Sequence, residues 1–269
     1  MKSMEKYFYS FLIGSQNTME YRVGFFLGLV SAIVPMFIQT FFWLSIYRSS
    51  SNSVIFGYSF SQIINYTIIA QLVSKYVRTG FEHEINDDIK NGGLNKFLVK
   101  PIGYFVYKFF CFMGIKFVNF TIISIMIVIS IFLLMISVGT AISFLSIFYF
   151  TSSLFLALSL NFMIFFCVST LCFWLSEITY LYEAVRIIII TLSGGIFPLD
   201  IFGLKIHKIL SFLPFKYTIY FPVQLLNNKI TGFPIFIGFT TQILWVVFFI
   251  FLTNILWKIG LKKYIAVGS

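Results

Sequence analysis

The feature that most constrains this chain is a series of apolar stretches, each long enough to cross a lipid bilayer as a helix. A transmembrane helix needs about 20 mostly apolar residues, and residues 117–176 contain no Asp, Glu, Lys or Arg at all. Only 10% of the chain is charged, whereas a soluble domain carries about 25%. Because the alternating strands of a membrane barrel are absent from the sequence, it predicts an all-α integral membrane protein.

The apolar stretches predict six transmembrane helices in a single domain over residues 1–269. Their predicted ranges are Val23–Tyr47, Ile55–Val77, Tyr104–Ser137, Ala141–Leu175, Ile178–Phe197 and Phe233–Trp257. Three other segments are predicted: a helix along the membrane interface over residues 1–22, a cytoplasmic segment over residues 78–103 and an outer re-entrant segment over residues 198–232. For the first of these, a simple attachment that positions the first span is an equally good interpretation.

The positions of Lys and Arg predict that both termini lie in the cytoplasm. Basic residues concentrate on the cytoplasmic side of membrane proteins, and this orientation places 14 of the 19 Lys and Arg residues inside. They are Lys2, Lys6, Arg22, Lys75, Arg78, Lys90, Lys96, Lys100, Lys108, Lys116, Arg186, Lys258, Lys262 and Lys263. The cytoplasmic preference of Lys and Arg therefore accounts for the net charge of +10, and nucleic-acid binding is not needed to explain it. The bias toward Ile, Lys, Asn and Phe is typical of an AT-rich bacterial genome, so we expect the bacterial cytoplasmic membrane.

The most charged part of the chain, EINDDIKNGGLNKFLVKPIGY, lies between the second and third predicted spans. Phe81, Ile85 and Ile89 recur at steps of four and share one helix face, and Gly92-Gly93 is expected to end that helix. An acidic helix with one apolar face is typical of a docking surface whose apolar residues fill a partner's groove. A solvated loop that only holds cytoplasmic lysines is the alternative, but it does not explain the spacing of the isoleucines.

A second irregular region, SGGIFPLDIFG followed by LPFKYTIYFPVQLL, separates the fifth and sixth predicted spans. Gly194-Gly195 and Pro198 interrupt the helix, and Pro214 and Pro222 interrupt it again. The segment is nevertheless too apolar for an exposed loop, so we expect two short helices that enter the outer leaflet and return. Asp200 stands at a predicted helix start, where its expected role is an N-cap.

Amide side chains are the main polar groups within the predicted spans: Gln39, Gln62, Asn65, Gln71, Asn119, Asn161 and Gln242. Such amides often form hydrogen bonds between helices, and lining a substrate path is the second interpretation. Glu183 and Arg186 are three residues apart and are predicted to pair on one helix face. No series of acidic residues crosses the predicted spans, which argues against a proton-driven transporter.

The sequence contains no motif for catalysis, metal binding or nucleotide binding. The short GSQNT at residues 14–18 is not followed by the Gly-Lys-Ser/Thr of a phosphate-binding loop, and His83 lacks convergent ligands for a metal. No cofactor is therefore expected in this chain. If ATP drives the protein, a different chain must bind the ATP.

Three motifs resemble ABC-2 type ABC transporter permeases, in particular the branch of ABC-2 family transporter proteins that includes viologen-exporter-like permeases. The first motif runs from Glu84-Ile85 through Asp88-Ile89 to Lys100-Pro101-Ile102, with an extra residue at Gly92-Gly93. The second is SGGIFPL followed by LPF, two tyrosines and Pro222, and the third is the final GLKKYIAVGS.

This resemblance implies an exporter in which two permease chains, identical or paralogous, assemble with two separate ATPase subunits that bind ATP and Mg. Residues Glu84–Leu94 would form the coupling helix, seated in an ATPase groove. The implied ATPase contacts are Phe81, Glu84, Ile85, Asp87, Asp88, Ile89, Gly92, Gly93 and Leu94. The candidate substrate path comprises Gln39, Gln62, Asn65 and Asn161. The implied outer gate comprises Gly194, Gly195, Pro198, Pro214, Tyr217 and Pro222.

The expected cargo is an amphiphilic small molecule, drug or peptide that moves out of the cell. A permease for a lipid or a polysaccharide has the same architecture and is the first alternative. A membrane accessory or immunity protein that does not transport is the second, and a channel or secondary transporter is the third.

Overall fold

The chain is described by a computed structural model that covers residues 2–20, 22–99, 102–138, 143–175 and 177–264. It is mostly helical. The helices are α1 (Lys2–Glu20), α2 (Arg22–Ser49), α3 (Phe60–Val77), α4 (Glu82–Lys90), α5 (Asn95–Leu98), α6 (Tyr104–Val138), α7 (Phe144–Ser169), α8 (Thr179–Leu192), α9 (Gly203–Ser211), α10 (Tyr220–Leu226) and α11 (Phe233–Leu261). Short 3-10 helices follow at Thr170–Phe173, Leu199–Phe202 and Phe215–Tyr217.

Within the described residues, three helical stretches are long and apolar enough to cross a membrane: Tyr104–Ile129, Phe144–Phe173 and Phe233–Leu261. They correspond to the third, fourth and sixth predicted spans and support a membrane-embedded protein. The helices begin and end close to the predicted boundaries, because a bilayer-length apolar run determines helix length more tightly than local propensity does.

The second predicted span begins later than expected because residues 54–59 form a hairpin of two short strands, β1 (Val54–Ile55) and β2 (Tyr58–Ser59). Gly57 at the turn has a φ of 78°, a conformation that glycine adopts without steric cost. The Ser59 hydroxyl then accepts from the Gln62 N–H, while the Gln62 side chain accepts from the Ser59 N–H. This capping box starts α3 at residue 60.

The fifth predicted span is shorter than expected. Helix α8 has 14 residues, which corresponds to about 21 Å at 1.5 Å per residue, compared with about 30 Å for the hydrocarbon core. It ends before Gly194, whose φ of 83° interrupts the helix, so the predicted continuation to Phe197 is not helical.

The core is centred on α7, which packs against α3, α4, α10 and α11. Ala157, Phe162 and Phe166 on this helix are fully buried, and the two phenylalanines provide the aromatic centre. The ring of Phe162 contacts that of Phe81, just before α4, with centroids 4.6 Å apart. The segment before α4 is therefore held in the same core as the apolar helices.

Helix α1 packs along α6 through two glycines, Gly14 and Gly114. A Cβ atom at either position would overlap the backbone of the other helix, and the Ser15 hydroxyl donates to the Gly114 carbonyl at 3.2 Å. The predicted segment is thus a helix, and its expected position along the inner leaflet stays a prediction.

The two ends of α3 mark two opposite regions of the molecule. Its C-terminus leads to α4, and we call this the α4 end. Its N-terminus follows the β1–β2 hairpin, and we call this the hairpin end. At about 1.5 Å per residue, the 18 residues of α3 separate these ends by about 27 Å.

Candidate functional site

Helix α4 forms as predicted, but its apolar face is covered by this chain's own helices. Ile85 is 0% exposed, and Phe81, Ile89 and Leu94 are also buried in the main core. These four residues were expected to fill a groove in a partner protein. Because they are already enclosed, that assignment is corrected: they attach α4 to the other helices of this chain.

The surface that α4 and α5 leave exposed has acidic residues on α4 and apolar residues at the end of α5, and Asn91 and Lys96 are exposed between them. His83, Glu84 and Asp87 are exposed on α4. On α5 and directly after it, Leu98 is 54% exposed and Val99 is 83% exposed. We call these five residues the α4–α5 surface. It retains two of the predicted ATPase contacts, Glu84 and Asp87.

Ion pairs join α4 to α6. The Lys108 Nζ lies 2.9 Å from Glu84 Oε2 and 3.1 Å from Asp88 Oδ2. The Tyr104 hydroxyl also donates to Asp88 Oδ2, at 2.8 Å. Lys108 and Asp88 are both largely buried, so their pair is shielded from water, whereas the Glu84 side chain is 67% exposed.

A second ion pair joins α4 to α8. Arg186 of α8 pairs with Glu82, which is 0% exposed, and with Glu183. The Glu183–Arg186 pair was predicted from sequence and is confirmed, but the Glu82 contact was not predicted. Because removing one member of a buried pair leaves an uncompensated charge, Glu82 fixes the position of α4 relative to α8.

The Gly92-Gly93 pair turns the chain between α4 and α5. Gly92 has a φ of 77°, and a Cβ atom at Gly93 would overlap Asp88. The Leu94 N–H donates to the Asp88 carbonyl at 2.7 Å. Both glycines are therefore needed for a tight turn, and α4 ends there as predicted.

A cavity of about 300 Å³ lies at the α4 end, between α2, α3, α7 and α8. Its walls include polar and charged side chains from three helices, with several isoleucines beside them. The polar lining residues are Gln71, Ser74, Lys75, Arg78, Asn161 and Arg186. We call this space the α3–α8 cavity.

Among the predicted substrate-path residues, only Asn161 lines the α3–α8 cavity. Its Nδ2 donates to the Val77 carbonyl at 2.5 Å. Gln62 caps α3, and the Asn65 Nδ2 donates to the Asn227 Oδ1 at 3.0 Å. The structure therefore does not bring the four predicted residues together. The charged residues that do line the cavity had been attributed to topology or to helix pairing.

The predicted outer-gate residues are all buried and belong to a packed cap at the hairpin end. The Gly194 carbonyl accepts from the Tyr66 hydroxyl at 2.7 Å, and the Gly195 carbonyl accepts from the Gln71 side chain at 3.3 Å. The cap includes the fully buried helix α10. The glycines that interrupt α8 thus expose carbonyls that side chains of α3 satisfy.

Asp200 is the centre of a polar cluster in this cap. Its carboxylate accepts from the Tyr58 hydroxyl at 2.5 Å, the Tyr220 hydroxyl at 2.7 Å and the Gln224 Nε2 at 3.1 Å. The expected N-cap role is wrong, because Pro198 occupies the N-cap of the 3-10 helix that contains Asp200. Sequence reasoning missed the cluster because Tyr58 is 142 positions away.

His207 lies at the edge of this Asp200 cluster. Its Nδ1 is 3.6 Å from Asp200 Oδ1, and its Nε2 is 3.0 Å from Lys216 Nζ. Burial, together with the positive charge of Lys216, lowers the pKa of His207 below its ordinary value of 6.5. The neutral ring therefore predominates, with Nε2 accepting a hydrogen bond from the Lys216 ammonium group.

Comparison with known families decides where this architecture belongs. The profile of a family described as ABC-2 family transporter protein matches residues 33–268, which includes the α4–α5 surface, the α3–α8 cavity and the cap. The chain belongs to this family. The ABC-2 permease is thus a membrane component of an ABC transporter, and permeases of this family work with ATPase partners. A comparison with curated proteins finds no match.

Proposed function

We propose that this chain is the permease subunit of an ATP-driven exporter in the bacterial cytoplasmic membrane. Six helices cross the bilayer in this proposal, with α4 and both termini in the cytoplasm. Two separate ATPase subunits bind ATP and Mg. A second permease chain, identical or paralogous, completes the complex.

The observation that carries the proposal is the position of α4, which presents one face outward and is fixed to two other helices by its remaining faces. His83, Glu84 and Asp87 face outward, while buried ion pairs join α4 to α6 and α8. A plain solvated loop needs neither feature. This arrangement supports the transfer of motion from a bound ATPase into the helices of the permease.

The ion pairs that join α4 to Lys108 and Arg186 determine how a movement of α4 reaches the other helices. Separating one of these buried pairs without a new partner costs about 3–5 kcal/mol, so α4 and its partners move together. Arg186 and Asn161 both line the α3–α8 cavity. A displacement of α4 therefore changes the shape of this cavity, which we assign to the substrate path.

The cap at the hairpin end closes the opposite side of this path. Its Asp200 cluster joins β2, the 3-10 helix at Leu199–Phe202 and α10 through hydrogen bonds. In an export cycle, the cavity at the α4 end accepts the substrate, and the cap separates to release it outside.

The test changes the α4–α5 surface without changing the core. Val99→Asp and Asp87→Lys alter exposed side chains, and the permease is purified from its native membranes together with its ATPase subunits. For each variant we expect about tenfold weaker binding of the ATPase subunit, since loss of an interface contact of about 1.4 kcal/mol corresponds to a factor of ten. Less ATPase subunit should then co-purify, and ATP hydrolysis should be lower.

Val54→Asp is the matched control, because Val54 is equally apolar and 54% exposed but lies in the hairpin at the opposite end of α3. It should leave both measurements unchanged. If the Val99→Asp and Asp87→Lys variants hydrolyse ATP and co-purify with the ATPase subunit at wild-type levels, this surface is ruled out as the ATPase contact.

A further inference from the structure

The α3–α8 cavity collects positive charge from two different helices. Lys75 and Arg78 approach it from the C-terminal end of α3, and Arg186 approaches it from α8. Arg186 is paired with Glu82 and Glu183. Within the described ranges, neither Lys75 nor Arg78 forms an ion pair with a carboxylate. The cavity therefore has a positive excess that the described residues do not neutralise.

A buried lysine lies next to Arg78, although it does not line the cavity. The Lys116 ammonium group, on α6, donates to the Arg78 backbone carbonyl at 2.5 Å and is only 7% exposed. Like charges held close together at the membrane boundary repel each other. An anion placed among them would relieve this repulsion.

Two general effects explain only part of this arrangement: the preference of Lys and Arg for the cytoplasmic side of a membrane, and the attraction of cations to the C-terminus of a helix. Both favour Lys75 and Arg78 at the end of α3. Neither explains why Arg186, from a different helix, lines the same cavity with a buried Nε that has no hydrogen-bond partner among the described residues. An unpaired buried donor is unfavourable, so a ligand that accepts from it would be favoured.

The remaining walls of the cavity are apolar. Phe165, Ile187, Ile190 and Ile219 lie beside the charged residues, and such walls suit an alkyl or aryl chain. The ring of Phe165 is already covered by the Arg186 guanidinium group, 5.7 Å from its centroid. That contact occupies one face of the ring, which a cationic ligand could otherwise use.

One uncharged group in the wall also lacks a partner. Asn161 is 3% exposed and lines the cavity, and its Oδ1 has no hydrogen-bond partner in the described part of the chain. This oxygen can accept from a hydroxyl group next to an acidic head group.

We propose that the α3–α8 cavity binds an anionic amphiphile, with its phosphate, sulfate or carboxylate group between Lys75, Arg78 and Arg186 and its apolar chain along the isoleucines. The assignment rests on the proposed function and specifies its substrate class. The acidic group belongs either to a lipid of the surrounding bilayer or to a separate amphiphile that enters from the cytoplasm.

The test uses two photoreactive probes that differ only in charge. One is a long-chain carboxylate with a diazirine at its apolar end, and the other is the corresponding amine. The full-length permease is placed in phosphatidylcholine bilayers without ATPase subunits, labelled and mapped by mass spectrometry. We expect saturable labelling of peptides that contain Ile187 and Ile190 by the carboxylate, and only weak, non-saturable labelling by the amine.

Arg78→Gln should lower the apparent affinity for the carboxylate about tenfold, because it removes a charge-assisted contact. Arg78→Lys retains the charge and should restore most of the binding. Lys258→Gln is the matched control, since Lys258 is an exposed cation in the last turn of α11 and does not line the cavity. Equal labelling by the two probes, or unchanged affinity in Arg78→Gln, would overturn the proposal.

Addition of phosphatidylglycerol to the bilayer distinguishes the two possible sources of the acidic group, a bilayer lipid and a separate amphiphile. Loss of carboxylate labelling would assign the site to an acidic bilayer lipid, and unchanged labelling would assign it to a separate amphiphile. Labelling requires no ATPase subunit, whereas the Val99→Asp experiment measures ATP hydrolysis. Failure of one proposal is therefore distinguishable from failure of the other.

Discussion

At the hairpin end of the permease, the Asp200 carboxylate accepts three hydrogen bonds, and the nearby Lys229 ammonium group lies 3.3 Å from the centroid of the Tyr58 ring. At the α4 end, Lys75 and Arg78 line a cavity and form no ion pair with a described carboxylate. The first region uses its charges to close a cap. The second has charged groups without an ion-pair partner among the described residues. The comparison teaches that missing partners, and not the presence of charge alone, distinguish a candidate binding site from a structural cluster.

The comparison breaks down if the buried charges at the α4 end do not stabilise the fold. Glu82→Gln removes the fully buried partner of Arg186 and should lower the free energy of unfolding by about 3 kcal/mol. Thermal unfolding of the purified permease measures this loss. Glu183→Gln is the control: Glu183 contacts the same arginine but is half exposed, so we expect a loss below about 1 kcal/mol. Equal effects would contradict the assignment of Glu82 as the main connection between α4 and α8.

The Asp200 cluster provides the next largest expected effect. Asp200→Asn replaces a carboxylate that accepts from Tyr58, Tyr220 and Gln224, and should cost about 2 kcal/mol, since hydrogen bonds to charged groups contribute about 1.5–3 kcal/mol. Limited proteolysis should then cut the 198–232 segment faster than in the wild type.

Arg48→Gln is a control for Asp200→Asn, because Arg48 is an exposed charged residue at the hairpin end of α2. Cleavage of the 198–232 segment in the Arg48→Gln variant should be as fast as in the wild type. Unchanged cleavage in Asp200→Asn would mean that the cluster does not hold the cap closed.

The smallest expected effect is a pH dependence of the cap. The pKa of His207 is lowered in the folded state by burial and by Lys216, so its contribution to stability is present above the ordinary value of about 6.5 and is lost as the pH falls toward the lowered pKa. Proteolysis of the cap should therefore accelerate in mild acid. His207→Gln should remove this acceleration, whereas His83→Gln, at the opposite end of α3, should retain it.

The sequence predicted the long helices well because their apolar runs are determined by the thickness of a bilayer. The boundaries of α6 and α11 follow directly from where those runs begin and end. Helix α8 was harder to predict, because its apolar run continues past Gly194 although the backbone does not remain helical.

The candidate site was less predictable, for two physical reasons. The spacing of Ile85 and Ile89 shows that one face of α4 is covered but does not show which molecule covers it, and here it is the permease itself. The α3–α8 cavity and the Asp200 cluster both join residues that are distant in sequence, such as Arg78 with Arg186 and Tyr58 with Asp200. Local periodicity contains no information about such contacts.

The glycine crossing between α1 and α6 has a practical consequence for any shortened version of this protein. The family match begins at residue 33, so a chain trimmed to the matched region would lose α1 entirely. It would uncover the strip of α6 around Gly114 and the ring of Phe110, which now stacks on Tyr7 at 5.5 Å. Trimming by family boundaries would therefore remove a helix that forms part of the packed structure.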